Sequence, residues 1–488
     1  MRKRIYNWIN RQSLQRLVFL SFLPIFFLYI LPTFIQPEYD TDLHLIRFNL
    51  GLPGVISGDE PHYLVATTSL INDHDYYVEN NYENAYHSGG CDLGFRYRNT
   101  TNPTIPPHIQ LVDPIKHIAL PTISNKTHEE NVQIMYEQYN ATTVRWVSNR
   151  PVGVPFFSSI FLWPLKDTCF IEHGVIYLSV MISIIGIIFF YLISLFYARK
   201  YIFEQNKEVE NNENEKKSII TALCFTYIFA FATQYWHYSK TYFPEPYIAT
   251  FLLMSYYLFF IQKQSTLPGF LIALGYSMKS PFGMYLVLFP MALLVRKEWK
   301  RCCYFVLGTL LPLGGVLYYN WSLSGNIFYS AQAGALSFGN YAYGIFVWLF
   351  HPMFGVIPSA PFLIFSIFGL YNLWRKNKES FFNLSIIIFP YFFFWAFYKL
   401  TQVGPGGYSA RYLVPLLGFF VLLSMIWYIH NKNKVLQILF FVLVSISFII
   451  NLQAAFLYPL FWNNPPWIVF DFITQKFHRI IEVLKQTF

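Results

Sequence analysis

"PVGVPFFSSIFLWPL" occupies residues 151–165, and whether it crosses a membrane decides the orientation of everything after it. The stretch is apolar, but fifteen residues with three prolines fall short of the roughly 20 that a helix needs to span the hydrocarbon core. A proline inside a helix also removes a backbone donor and kinks the chain. Kept out of the bilayer, as a re-entrant or surface segment at the outer interface, it leaves the later basic loops all on one side. Those loops are "RKYIFEQNKEVENNENEKK", "QKQSTLP", "RKEWKR", "RKNKES" and "HNKNK". Each carries lysine, so the positive-inside rule places them in the cytoplasm. Read as a span, the stretch would invert all of them and the rule would fail.

The composition agrees with a chain that lives in lipid. Of 488 residues, 55% are hydrophobic, 21% aromatic and only 12% charged, against about 25% charged in soluble proteins. The net charge of +9 sits in short loops between apolar runs, so it reads as topology rather than as a nucleic-acid footprint. The start, "MRKRIYNWINRQSLQRLVFLSFLPIFFLYILPTF", has the basic head of a signal peptide. Its apolar run is too long for a signal core and no small-residue cleavage site follows, so it reads as an uncleaved first helix with a cytoplasmic N-terminus.

The fold expected is therefore an all-α polytopic membrane protein with about eleven transmembrane helices. The spans run near 17–34, 171–197, 218–236, 246–262, 267–279, 281–295, 302–322, 345–373, 380–398, 412–429 and 434–457. Four regions follow: a first helix (1–35), a long first extracytoplasmic loop with interfacial helices (36–170), a helical bundle (171–457) and an outer tail (458–488). The tail's Trp, Phe and Ile residues suit an amphipathic helix lying on the membrane. The linker "EQNKEVENNENEKK" (204–217) is a solvated cytoplasmic loop.

This topology gathers five chemically loaded stretches on the outer face. They are "SGDEPHYL" (57–64), "HYSKTYFPEPY" (237–247), "MKSPFG" (278–283), "HPMFGVIPSAP" (351–361) and "KLTQVGPGGYSARYLVP" (399–415). Ionisable groups at membrane depth are costly and mark function. The carboxylates are Asp59, Glu60 and Glu245, and the cations are Lys240, Lys279, Lys399 and Arg411, with Arg150 nearby. A carboxylate can take a proton from a hydroxyl, a guanidinium can grip a phosphate with two hydrogen bonds, and Gly404, Gly406 and Gly407 let backbone approach a ligand. A base beside a phosphate clamp fits displacement of a lipid phosphate from a sugar carbon by an acceptor hydroxyl.

These motifs resemble those of the GT-C glycosyltransferases, the multi-spanning enzymes that include protein mannosyltransferases and the aminoarabinose transferases of lipid A. The resemblance rests on "SGDEPHYL" after the first span, the long first outer loop, "KTYFPEP" as a second acidic turn, and "GYSARYLVP". It implies a GT-C fold and a bacterial inner-membrane enzyme with its site facing the periplasm. The donor would be a polyprenyl-phosphate sugar, and the acceptor a hydroxyl of lipid A, a lipid-linked glycan, a polysaccharide or a protein; nucleic acid has no place in it. Asp59 would be the catalytic base, Glu60 would orient the acceptor or the donor sugar, and Glu245 would be the second acid. Arg411 and Lys279, with Lys240 and Lys399, would hold the donor phosphate, and His62, Tyr63, Tyr242 and Tyr408 would line the substrate. The resemblance implies inversion without a metal or other cofactor, while a divalent cation held by Asp59, Glu60 and Glu245 stays open.

Plainer roles compete for the same residues. Asp59 and Glu60 ahead of Pro61 also suit a helix start, Glu245 could be solvated at a span mouth, and Arg411 and Lys279 could snorkel. His62, His237 and His351 have no spacing that demands a metal. Cys91 and Cys169 could pair in an oxidising compartment, and the Asn99, Asn125 and Asn140 sequons would matter only in a secretory lumen. The rival functions are a transporter or flippase of lipid-linked sugars and an enzyme of the O-antigen polymerase or ligase type. Broken helices without a clear internal repeat give the transporter only half of its signature, and a polymerase or ligase carries its large loop late in the chain, not first.

Overall fold

The computed structural model describes residues 16, 18–40, 45–50, 60–78, 81, 109–113, 115–116, 118–119, 145–148, 150–166, 168, 170–205, 211–328, 341–351, 355–397 and 410–457. Helix α1 (Val18–Thr33) is followed by an antiparallel hairpin of β1 (Ile35–Asp40) and β2 (Leu45–Leu50), in which Ile35 pairs with Leu50 and Glu38 with Arg47. Helix α2 (Glu60–Asn72) precedes an antiparallel sheet of β3 (Ile109–Asp113), β4 (Ile118–Ala119) and β5 (Arg145–Ser148), ordered β4-β3-β5. Then come α3 (Gly153–Leu162), α4 (Ile171–Gln205), α5 (Asn211–Phe231), the short α6 (Tyr235–Ser239) and α7 (Pro244–Tyr256). Next are α8 (Thr266–Met278), α9 (Met284–Val295) and α10 (Trp299–Ser324). The final stretch holds α11 (Tyr341–Phe350), α12 (Phe365–Lys376), α13 (Lys378–Phe397), α14 (Leu417–His430) and α15 (Lys434–Leu457).

Five of these helices are long and apolar enough to cross a membrane: α4, α10, α13, α14 with the 3-10 turn before it, and α15. Four shorter apolar helices accompany them, over Val18–Thr33, Gly153–Leu165, Thr266–Met278 and Ser280–Val295. The chain is thus a predominantly helical membrane protein. The strands lie where the sequence reading expected loop and interfacial helices. The stretch expected as one span over 345–373 is broken into α11, single turns at Val356–Ser359 and Pro361–Ile364, and α12. Pro358 and Pro361 supply the physical cause, since each lacks the N–H that would continue the helix.

The chain divides into two compact units, one of Met1–Gly51, Ser183–Lys240 and Gly339–Phe488, the other of Leu52–Ile182 and Thr241–Phe338. In the second unit, α2 packs on α3, α3 on α8, and α8 on both α7 and α10. Two glycines set the last crossing. A Cβ on Gly269 would overlap the Phe305 carbonyl oxygen, and one on Gly308 would overlap that of Thr266. Small residues let helix backbones touch where lipid offers no hydrophobic drive for association. Val112 and Val147 of the sheet bury against Leu323 of α10, with Tyr76, Tyr77 and Tyr319 closing the cluster.

In the first unit, side chains tie helices to one another through backbone carbonyls. The Tyr29 hydroxyl donates to Ala230 O at 2.7 Å and the Trp236 indole to Leu28 O at 3.0 Å. Helix α12 packs along α14, with Phe365 stacked on Trp427 at 4.1 Å. The most apolar stretch of α14 is 78% buried and that of α15 only 22%, so α14 is a core helix and α15 presents its sides to the surroundings.

Candidate active site

The second unit brings two of the sequence's polar motifs together. Glu60 opens α2 and is buried to 1% exposure, with His62 and Tyr63 equally enclosed. Its Oε1 accepts the backbone N–H of Tyr242 at 2.5 Å, across 182 positions of chain. The Tyr63 and Tyr242 rings meet edge to face at 6.2 Å. Asp59, the residue expected to act as base, lies outside the described residues, as do Lys399 and Tyr408 and the expected partners Cys91 and Cys169.

Glu245 comes next along the same turn. Pro244 fits the start of α7 because its missing N–H has no partner there in any case, and Glu245 follows in the first turn, where the helix dipole favours an anion. Its side chain is wholly buried and pairs with the Lys279 ammonium. Lys279 sits just past the last turn of α8, its N–H donating to Gly275 O at 3.0 Å, where a cation meets the negative end of a helix. The pair therefore joins the N-terminus of one helix to the C-terminus of another. Breaking a buried pair by deleting one partner costs about 3–5 kcal/mol, so Lys279 is bound first of all to the acid. Lys279, expected to hold the donor phosphate, thus has Glu245 as its partner here.

Around these acids runs a buried chain of hydroxyls that the sequence reading missed. Thr67 Oγ1 lies 2.7 Å from the Tyr242 hydroxyl, and Ser179 Oγ lies 2.9 Å from that of Tyr247. Ser158 of α3 stands beside both phenols. Thr67 donates to Tyr63 O and Ser179 to Val175 O, so the Tyr242 hydroxyl donates to Thr67 Oγ1 and that of Tyr247 to Ser179 Oγ. Burial and the neighbouring Tyr247 push the Tyr242 phenol well above its usual range, so it stays protonated. In an apolar helix such a Ser or Thr has the same sequence signature as one that merely bonds back to its own turn, so no local signal marked them. Buried Glu172 lies in the first turn of α4, where an acid also suits an ordinary helix start.

The other half of "HYSKTYFPEPY" belongs to the first unit and does different work. Buried Lys240 donates to the Ala455 carbonyl, and His237 Nδ1 donates to Ala454 O at 3.1 Å. Burial, then the Lys240 ammonium, push His237 well below the usual imidazole range, so the ring is neutral. Both acceptors lie in the last turn of α15, whose final carbonyls have no partner within the helix. Lys240, also expected to hold phosphate, thus caps the end of α15. Nearby, Gln234 donates to Ser359 Oγ, and Asn451 donates to Ser359 O at 2.9 Å.

Arg411, also in the first unit, is half-buried at the head of an aromatic stack. Its guanidinium lies 5.1 Å from the centre of the Tyr412 ring, which stacks on Trp395 at 4.1 Å and 5°. The Trp348 indole fixes the stack by donating to Trp395 O at 2.7 Å. His351 is half-buried beyond the end of α11. Among the described residues no group of three His, Cys, Asp or Glu side chains is close enough to hold a metal ion. No family model, curated protein or solved structure matches this chain.

Proposed function

We propose that the protein is an inverting glycosyltransferase of GT-C type. It moves a monosaccharide from a polyprenyl-phosphate donor to a hydroxyl of a cell-envelope acceptor at the outer face of the bacterial inner membrane, within a bundle of about eleven spans. The observation that carries this reading is the bond from Glu60 to the backbone of Tyr242. It draws Glu60 to the turn that bears Glu245, inside a buried, hydroxyl-rich core. Buried acids of this kind are held in place by protein rather than water, as a base that must meet one hydroxyl requires.

In the proposed step the acceptor oxygen attacks the anomeric carbon as the bond from that carbon to the phosphate oxygen breaks. The acceptor proton passes to the Asp59 carboxylate, and polyprenyl phosphate leaves with the bonding electron pair. Glu60 holds the second acidic turn against α2, and Glu245, neutralised by Lys279, shapes the polar floor.

The test uses purified protein in lipid with a panel of polyprenyl-phosphate sugars and cell-envelope extract. Sugar-dependent release of polyprenyl phosphate, with the anomeric configuration of the product inverted, supports the reading. Labelled lipid that crosses the bilayer with no donor consumed replaces it with a transporter.

A further inference from the structure

Helix α15 is the most exposed of the long apolar helices of the first unit, and two adjoining hollows run along it. One, of about 410 Å³, is lined by Lys434, Gln437, Ile438 and Phe441 beside Tyr428 of α14. The other, of about 470 Å³, lies between α15 and α5, with Cys224 and Phe448 among its walls. Both include Phe441 and Ser445, so they form one groove. Each is within the size range of small-molecule sites, about 300–1,000 Å³. Along α15 the lining extends from Lys434 to Ile449, about 22 Å at 1.5 Å per residue. That is about the depth of one leaflet's hydrocarbon, roughly 15 Å, plus its interface.

The two ends of the groove differ in chemistry. Towards Phe448 and Ile449 the walls are apolar. At the opposite end Lys434 is exposed, its ammonium 3.3 Å from Gln437 Oε1, and Lys432 is exposed in the turn just before it. An apolar furrow of one leaflet's length that ends in cations calls for an amphiphile with an anionic head and a long tail.

We propose that this groove is a binding site for one anionic membrane phospholipid, its phosphate at Lys434 and one acyl chain lying along Ile438, Phe441, Ser445 and Phe448. The site is separate from the sugar-transfer reading and stands whether or not that reading holds. A lysine beside an anionic headgroup favours it over a zwitterionic one by about fivefold.

The experiment reconstitutes the full chain in nanodiscs of phosphatidylcholine containing either phosphatidylglycerol or phosphatidylcholine with a photoactivatable acyl chain, and maps the adducts by mass spectrometry. Expected are adducts concentrated on α5 and α15 around Cys224, Phe441 and Phe448, with phosphatidylglycerol favoured about fivefold. Lys434→Gln should abolish that preference, and Ser445→Trp, which fills the groove, should remove the adducts while the rest of the protein still labels. Helix α10, whose apolar stretch is likewise only 22% buried, is the control. Labelling as dense on α10 as on α15, or no headgroup preference in the wild type, overturns the proposal. So does an α15 surface that crosslinks to a second copy of the chain instead of to lipid.

Discussion

Lys279 and Lys240 are both buried lysines within polar motifs of the sequence, and the chain satisfies them in opposite ways. Lys279 meets a full opposite charge on Glu245. Lys240 donates to the carbonyl of Ala455 at the end of α15, a partial charge supplied by the helix itself. The first arrangement is costly to disturb from either side, because each partner strands the other. The second is a cap, and its loss leaves a carbonyl that water or a neighbouring N–H can satisfy. A buried lysine in a membrane protein is therefore not by itself a ligand site; its partner decides.

Unpairing one charge tests that contrast most severely. Lys279→Met strands Glu245 and should destabilise the protein by about 3–5 kcal/mol, read as a lowered unfolding midpoint in detergent. Combining Lys279→Met with Glu245→Gln should recover most of that loss, since an ion pair replaced by neutral groups of similar volume is often close to neutral. A double variant as unstable as the single one would break the comparison. Lys240→Met should cost less, about 1–3 kcal/mol for the unmet carbonyl. An equal loss from Lys240→Met and Lys279→Met would show that Lys240 also answers a charge. The smallest effect is expected of Glu60→Gln, which keeps an oxygen for the Tyr242 N–H and gives up only the charge-assisted part of that bond, about 1 kcal/mol.

Much of this architecture was legible in the amino-acid pattern, because crossing lipid requires long uncharged runs and basic loops. The apolar runs behind α4, α10, α13, α14 and α15 are of that kind. The short, proline-bearing stretch at 151–165 is an apolar helix too short to cross unaided, with Phe156, Ile160, Phe161 and Trp163 on its exposed side. Less was legible where partners decide the role. "HYSKTYFPEPY" reads as one polar turn, yet His237 and Lys240 cap α15 while Tyr242 and Glu245 serve the second unit. Charge type marked both lysines as polar and functional, but which oxygen each would find depends on helices far away in sequence. The hydroxyls of Thr67, Ser158 and Ser179 gave no signal, because they follow no period and carry no charge.

The central claim is that Asp59, next to the start of α2 in sequence, acts on a substrate as a base, and Asp59→Asn in the sugar-transfer assay tests it most directly. The substitution keeps size and hydrogen-bonding capacity but removes the base. The account predicts that donor turnover falls by about 10²–10⁴, the contribution of a positioned general base, while the unfolding midpoint and the Glu245–Lys279 pair are unchanged. Turnover at the wild-type rate in a folded Asp59→Asn protein would contradict it.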